Sequence, residues 1–181
     1  MRETLKLGII LFIFTVVSAG VLAMSNNATK GKIAELEMAG SLGALQEIFG
    51  EDAKFQPLDE GKQNEIIEAN PSVVEIFVAL DGDSASGYAI KNVSKGFGGD
   101  LVLMTGFNLD GTVSGMRVLE HSETPGLGAR SEEPEFTNRF IGKSVSEEIT
   151  VEALSGATST TNGVLAGVNA AREIFNSQLS N

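Results

Sequence analysis

LVLMTGFNLDGTVSGMRVLE, residues 101–120, decides the architecture of this chain. Two runs rich in aliphatic residues stand on either side of Asp110-Gly111, a dipeptide that tolerates the positive φ of a two-residue hairpin turn. Leu101–Leu109 and Thr112–Glu120 therefore read as neighbouring antiparallel strands. Upstream, Gly87–Val93 reads as a third strand. The run VVEIFVAL, residues 73–80, is β-branched and aromatic and reads as a fourth, closed by the turn-forming Asp81-Gly82-Asp83. The middle of the chain is predicted to be an antiparallel sheet.

Outward from the sheet the pattern becomes helical. Downstream come a loop rich in glycine and proline, a short helix around Glu135–Ile141, and a strand-like Ser146–Leu154. The chain closes with Thr161–Leu179, where Val164, Val168, Ala171, Ile174, Phe175 and Leu179 follow helical spacing and Asn162 or Thr161 can cap the start. On the upstream side, Lys32–Phe49 places Ile33, Leu36, Leu42, Leu45 and Ile48 at spacings that fit one helical face. Gly50–Pro71 is polar and acidic with two prolines and reads as a loop with one turn of helix near Ile66. Strands in the middle and helices at the ends indicate an α+β fold.

The first 29 residues differ in kind. Leu7–Met24, LGIILFIFTVVSAGVLAM, is 18 residues of almost wholly apolar sequence, and no charge falls between Leu7 and Thr29. At about 1.5 Å of rise per residue that stretch and its flanks cross a hydrocarbon core of roughly 30 Å. Residues 1–29 are thus expected to be a membrane anchor with a transmembrane helix over about 5–24. The alternative is a cleaved signal peptide with Arg2 and Lys6 as its basic start; the run exceeds the usual signal core of about 7–15 residues, which favours retention. Either way the rest of the chain is exported, so the expected location is the cell membrane, single-pass, with the folded part on the extracytoplasmic side. Residues 30–71 then form a connecting helix and loop, and 72–181 a single domain.

Beyond the anchor, 11 basic side chains face 23 acidic ones, a net charge of −12. That excess repels nucleic acid and anionic headgroups, so no nucleic-acid partner is expected and the only lipid contact is around the anchor. The chain has no cysteine and one histidine, His121, so it can build neither an iron–sulfur cluster nor a thiolate or multi-histidine metal site. Redox chemistry here requires an organic cofactor.

Two segments can carry one. Ser155-Gly156-Ala157-Thr158-Ser159-Thr160-Thr161 precedes the closing helix; its small residues admit a close ligand, and the amides and dipole of a helix N-terminus favour a phosphate. The same residues would equally suit a plain capping loop. Glu123-Thr124-Pro125-Gly126-Leu127-Gly128 directly follows a strand, and its proline and glycines shape a loop that presents Leu127 as an apolar wall for a planar ring. Its bland reading is a turn beside a surface histidine.

Taken together, these segments resemble the FMN-binding domain of the G subunit of the Rnf electron-transport complex, a domain also found in the C subunit of the sodium-translocating NADH:quinone reductase. The resemblance rests on the anchor, the paired Gly98-Gly99 before a strand, the Asp110-Gly111 turn, the ETPGLG loop, and SGAT before the last helix. It implies that Thr158 carries FMN through a phosphoester, installed from FAD by a dedicated flavin transferase. The family places an aspartate six residues before the modified threonine, where this chain has Glu152. By the same resemblance Glu123 to Gly128 lie against the flavin, with Leu127 near the ring. Ser159, Thr160 and Thr161 remain rival hydroxyls on spacing alone.

The implied function is electron transfer within a membrane-bound Rnf-type complex that couples electron flow between ferredoxin and NAD to sodium or proton translocation. Its partners would be the membrane and peripheral subunits of that complex. A stand-alone exported flavin domain and a cofactor-free anchored binding module are the alternatives.

Overall fold

A computed structural model describes residues 2–82 and 84–180. It contains two compact units, Met1–Gly40 and Ser41–Asn181. The first belongs to helix α1, Arg2–Phe49, the helix whose apolar stretch is long enough to cross a membrane. From Glu3 to Gly40 every side chain described is exposed, including a phenylalanine- and isoleucine-rich surface that water alone would not tolerate. The anchor and the short helix expected over Lys32–Phe49 are thus parts of one continuous element.

The second unit is built on a five-stranded antiparallel sheet in the order β1-β2-β3-β4-β5: Lys54–Pro57, Val73–Asp81, Ser84–Lys95, Asp100–Asn108 and Val113–Glu120. Four of these strands were legible from their patterning, and the Asp110-Gly111 hairpin is present with Gly111 at φ +80°. Of the turn expected at 81–83, Asp83 lies outside the described residues. Both faces of the sheet are covered, which is why IFVAL, residues 76–80, is a continuous apolar run rather than an alternating one.

Helix α4, Thr158–Ile174, packs on one face, where Val164, Val168 and Ala171 meet Ile90, Leu103 and Phe107. A π turn, Phe175–Leu179, continues it, and Phe175 stacks on Phe107 at 5.0 Å between centroids. The end of α1 packs on the other face, with Leu45 and Ile48 against Phe77, Ala89 and Met104. Glycines on three neighbouring strands make room there: a Cβ on Gly106 would lie 2.9 Å from the Phe49 ring, and one on Gly115 would lie 3.3 Å from Ile48. Ser114 Oγ donates to the Ile48 carbonyl at 2.9 Å, Arg117 pairs with Glu47 at 2.6 Å, and Gly50 at φ +100° ends the helix.

Several expectations need correction. Residues 50–71 are not a loop with one helical turn: they hold edge strand β1 and a full helix α2, Glu60–Ala69. Asp59 caps α2 by accepting from the Gly61 and Lys62 amides at 3.1 and 3.2 Å. The helix was hidden because only Ile66 is fully buried on it, so its sequence lacks an apolar stripe.

Ser146–Leu154 is not a strand. Ile149 and Leu154 are buried, but the segment has no ladder partner, and Ile149 is instead held at both its N–H and its C=O by the Asn169 side chain of α4, at 2.8 and 2.9 Å. The Glu135–Ile141 helix is present as a short α-helical turn α3, Pro134–Thr137, followed by a 3₁₀ turn, Asn138–Phe140.

Helix α4 begins three residues before the expected Thr161, and neither Thr161 nor Asn162 caps it. Ala157 occupies the N-cap, with no side chain to offer the first-turn amides.

Candidate functional site

Three connections meet beside the N-terminus of α4: the β3–β4 turn at 96–99, the loop after β5 at 121–128, and the turn at 154–157. Glu123 joins them. The residue is 6% exposed, and its carboxylate accepts from the Gly98 amide at 3.0 Å through Oε1 and from the Thr160 hydroxyl at 2.6 Å through Oε2. Burial opposes its ionisation. The Thr160 hydroxyl, the Gly98 and Phe97 amides and the nearby His121 outweigh that and hold its pKa below the ordinary carboxylate value.

Loop 121–128 is fixed from within. The Glu123 amide donates to His121 Nδ1 at 3.2 Å, and the Leu127 and Ala129 amides both donate to the Thr124 carbonyl, at 3.1 and 3.2 Å. Gly126 takes φ +74°, which the turn requires. At Gly128 there is no room for a side chain, because a Cβ would lie 2.6 Å from Thr160 Oγ1 and strike the Glu123 carboxylate.

The turn into α4 divides into two pairs the four hydroxyls that spacing could not separate. Thr161 is 1% exposed; its Oγ1 donates to the Ala157 carbonyl and accepts from the Leu154 amide, both at 3.1 Å. Thr160, also 1% exposed, is committed to Glu123. Thr158 and Ser159 are exposed. The first-turn amides of α4 have no side-chain cap among the described residues, and the first turn holds no acidic side chain. Such an end favours a bound anion.

A cavity of about 410 Å³ opens at this helix end, within the size range of small-molecule sites. Leu127, 45% exposed, Gly156 at φ +79° and Thr158 all line it, with Gly156 close to the Leu127 side chain. The structure thus brings the two sequence segments together. Of the thirteen residues the sequence singled out, Ser155, Pro125, Gly126 and Thr161 do not line the cavity and the others do. Glu123 and Thr160 contribute by holding each other, which the sequence could not show. Phe97 also lines the cavity and was overlooked; the signal for it was an aromatic residue set among glycines in Gly96-Phe97-Gly98-Gly99.

The site suits a phosphate-bearing planar cofactor. Uncapped amides and an exposed hydroxyl lie at one end, and apolar Leu127 and Phe97 border the rest.

Comparison with known proteins gives the same direction. The family model described as FMN-binding domain matches residues 96–173, which span the site, and the one described as RnfG N-terminal region matches residues 1–48. The G subunit of a Na(+)-translocating ferredoxin:NAD(+) oxidoreductase complex from Acetobacterium woodii is 29% identical over 96% of this chain and 92% of its own. The G subunit of the ion-translocating oxidoreductase complex of Vibrio atlanticus is 30% identical over 78% of this chain and 70% of its own. Among solved structures, the C subunit of the Na(+)-translocating NADH-quinone reductase from Parabacteroides distasonis shares the fold, with a TM-score of 0.54 at 21% identity over 72% of this chain and 78% of that one.

Proposed function

Because the chain belongs to the family of G subunits of ion-translocating oxidoreductase complexes, we propose that it is an electron-transfer subunit of such a complex and carries FMN as a phosphoester on Thr158. The observation that supports the residue assignment is the division of the hydroxyls: Thr160 and Thr161 are buried and engaged, whereas Thr158 and Ser159 are exposed at an uncapped helix N-terminus and line the cavity, and of these two the family resemblance selects Thr158.

In the attachment step the Thr158 oxygen bonds to the FMN phosphorus of FAD and the bond from that phosphorus to the AMP oxygen breaks. AMP leaves and the hydroxyl proton passes to solvent or to the flavin transferase. The first-turn amides of α4 bind the phosphate oxygens and the helix dipole favours their charge. Glu123 keeps the 96–99 turn, the 121–128 loop and the first turn of α4 in register, and Leu127 shields one side of the ring from water. FMN supplies the redox chemistry, and the ester removes loss by dissociation without touching the ring.

Since the chain has no cysteine for cluster ligation, it relays electrons between other subunits. The complex couples flow between ferredoxin and NAD to sodium or proton movement, a reading supported by the name of the Acetobacterium woodii relative. Helix α1 is the retained anchor: the helix runs unbroken past Ala23, and the N-terminal family match covers it. The domain then lies on the extracytoplasmic side.

The test is the intact mass of the full chain made with and without a flavin transferase. An added mass of one FMN less water, confined to the co-expressed protein, supports the proposal, and its absence refutes the covalent assignment.

A further inference from the structure

The β3–β4 turn places Phe97 on the wall of the cavity at 74% exposure. Every other phenylalanine of the Ser41–Asn181 unit is buried or half-buried, so this one has been left in water against the general preference of a large ring. Looseness does not explain it. The Gly96 amide bonds the Gly99 carbonyl at 2.8 Å, the Gly98 amide bonds Glu123, and Lys95 pairs with Asp100 at the base of the turn.

Side chains are excluded on both sides of the ring's own residue. A Cβ on Gly96 would strike the Glu123 carboxylate, and one on Gly98 would strike the Ser122 carbonyl. The backbone is therefore packed directly onto the 121–128 loop, and the one bulky group in the turn is held out toward the cavity that Leu127 and Thr158 also line. A rigid, glycine-flanked aromatic at the mouth of an otherwise half-apolar cavity is matched to a flat ring, which it covers by stacking.

We infer that Phe97 is a binding residue for a planar heteroaromatic ring and forms, with Leu127, the apolar enclosure of the isoalloxazine. This rests on the flavin reading above and adds a contact that it does not require. Attachment depends on the Thr158 hydroxyl and the helix end, so the flavin load should be indifferent to Phe97.

The experiment uses the full chain co-expressed with a flavin transferase, as wild type and as Phe97→Trp, Phe97→Ala and Ile141→Trp. Ile141 is 51% exposed and does not line the cavity, so it controls for an added surface indole. An indole in contact with an excited flavin donates an electron to it and quenches its emission. Phe97→Trp is expected to keep the full added mass of FMN and the wild-type circular dichroism but to lose flavin fluorescence several-fold, whereas Ile141→Trp stays as bright as wild type. Phe97→Ala should make the flavin more accessible to iodide.

A fully flavinylated Phe97→Trp protein as bright as wild type, or Phe97→Ala with unchanged iodide access, overturns the contact and leaves the flavin reading standing. A wild-type chain without the FMN mass overturns that reading itself, and the contact with it.

Discussion

Replacing each threonine of the α4 start by valine removes one hydroxyl while keeping the branched shape, and the three positions should respond differently. Thr158 is exposed and makes no hydrogen bond to another side chain, so Thr158→Val should change stability by no more than about 0.5 kcal/mol. Thr160→Val leaves the buried Glu123 carboxylate without its 2.6 Å donor. A hydrogen bond to a charged group is worth about 1.5–3 kcal/mol, and for a unit of this size each kcal/mol moves Tm by about 2–4 °C, so the melt should fall by roughly 3–12 °C. Thr161→Val removes a donor to Ala157 and strands the Leu154 amide, for about 1–3 kcal/mol. Intact mass and thermal melts of the three proteins, made with a flavin transferase, are the assay. Flavin should vanish only from Thr158→Val, which melts like the unflavinylated wild type, while the other two keep the flavin and lose stability. A flavinylated Thr158→Val protein, or a Thr160→Val protein as stable as wild type, would refute the reasoning.

The depressed pKa of Glu123 has a sign that can be checked against acid unfolding. Its ionised form is favoured by the folded state, so its stabilisation is full above the ordinary value of 4.5 and is lost as pH falls through the lower folded value; Glu123→Gln should flatten that part of the stability curve. On the far face of the sheet, Gly106→Val should force Phe49 and Ile48 off the strands for about 1–3 kcal/mol, read as a lower denaturation midpoint with the flavin load unchanged. A reporter active only in the cytoplasm, fused after the C-terminus, should stay silent if the domain is exported, and activity there would reverse the assigned orientation.

Much of this was legible without coordinates, for local reasons. A hairpin is written at Asp110-Gly111, because its turn needs one residue at positive φ and Gly111 supplies it at +80°. A membrane-crossing helix is written in the length of its apolar run, and α4 in the spacing of Val164, Val168 and Ala171. The two segments that line the candidate cavity stood out too, because glycine, proline and clustered hydroxyls are unusual locally. What failed was whatever depends on distant partners. Helix α2 is stabilised by the Asp59 cap and by docking of Ile66 rather than by an apolar stripe. Residues 146–154 have the composition of a strand, but they join no ladder, and the Asn169 side chain of α4 satisfies the Ile149 backbone instead. Four neighbouring hydroxyls at 158–161 are equivalent in sequence, and only the packing of α4 against the 121–128 loop separates them. It turns Thr160 onto Glu123, closes Thr161 onto its own turn, and leaves Thr158 and Ser159 exposed on the cavity; burial is a property of the assembled surfaces and is not written in any one of them.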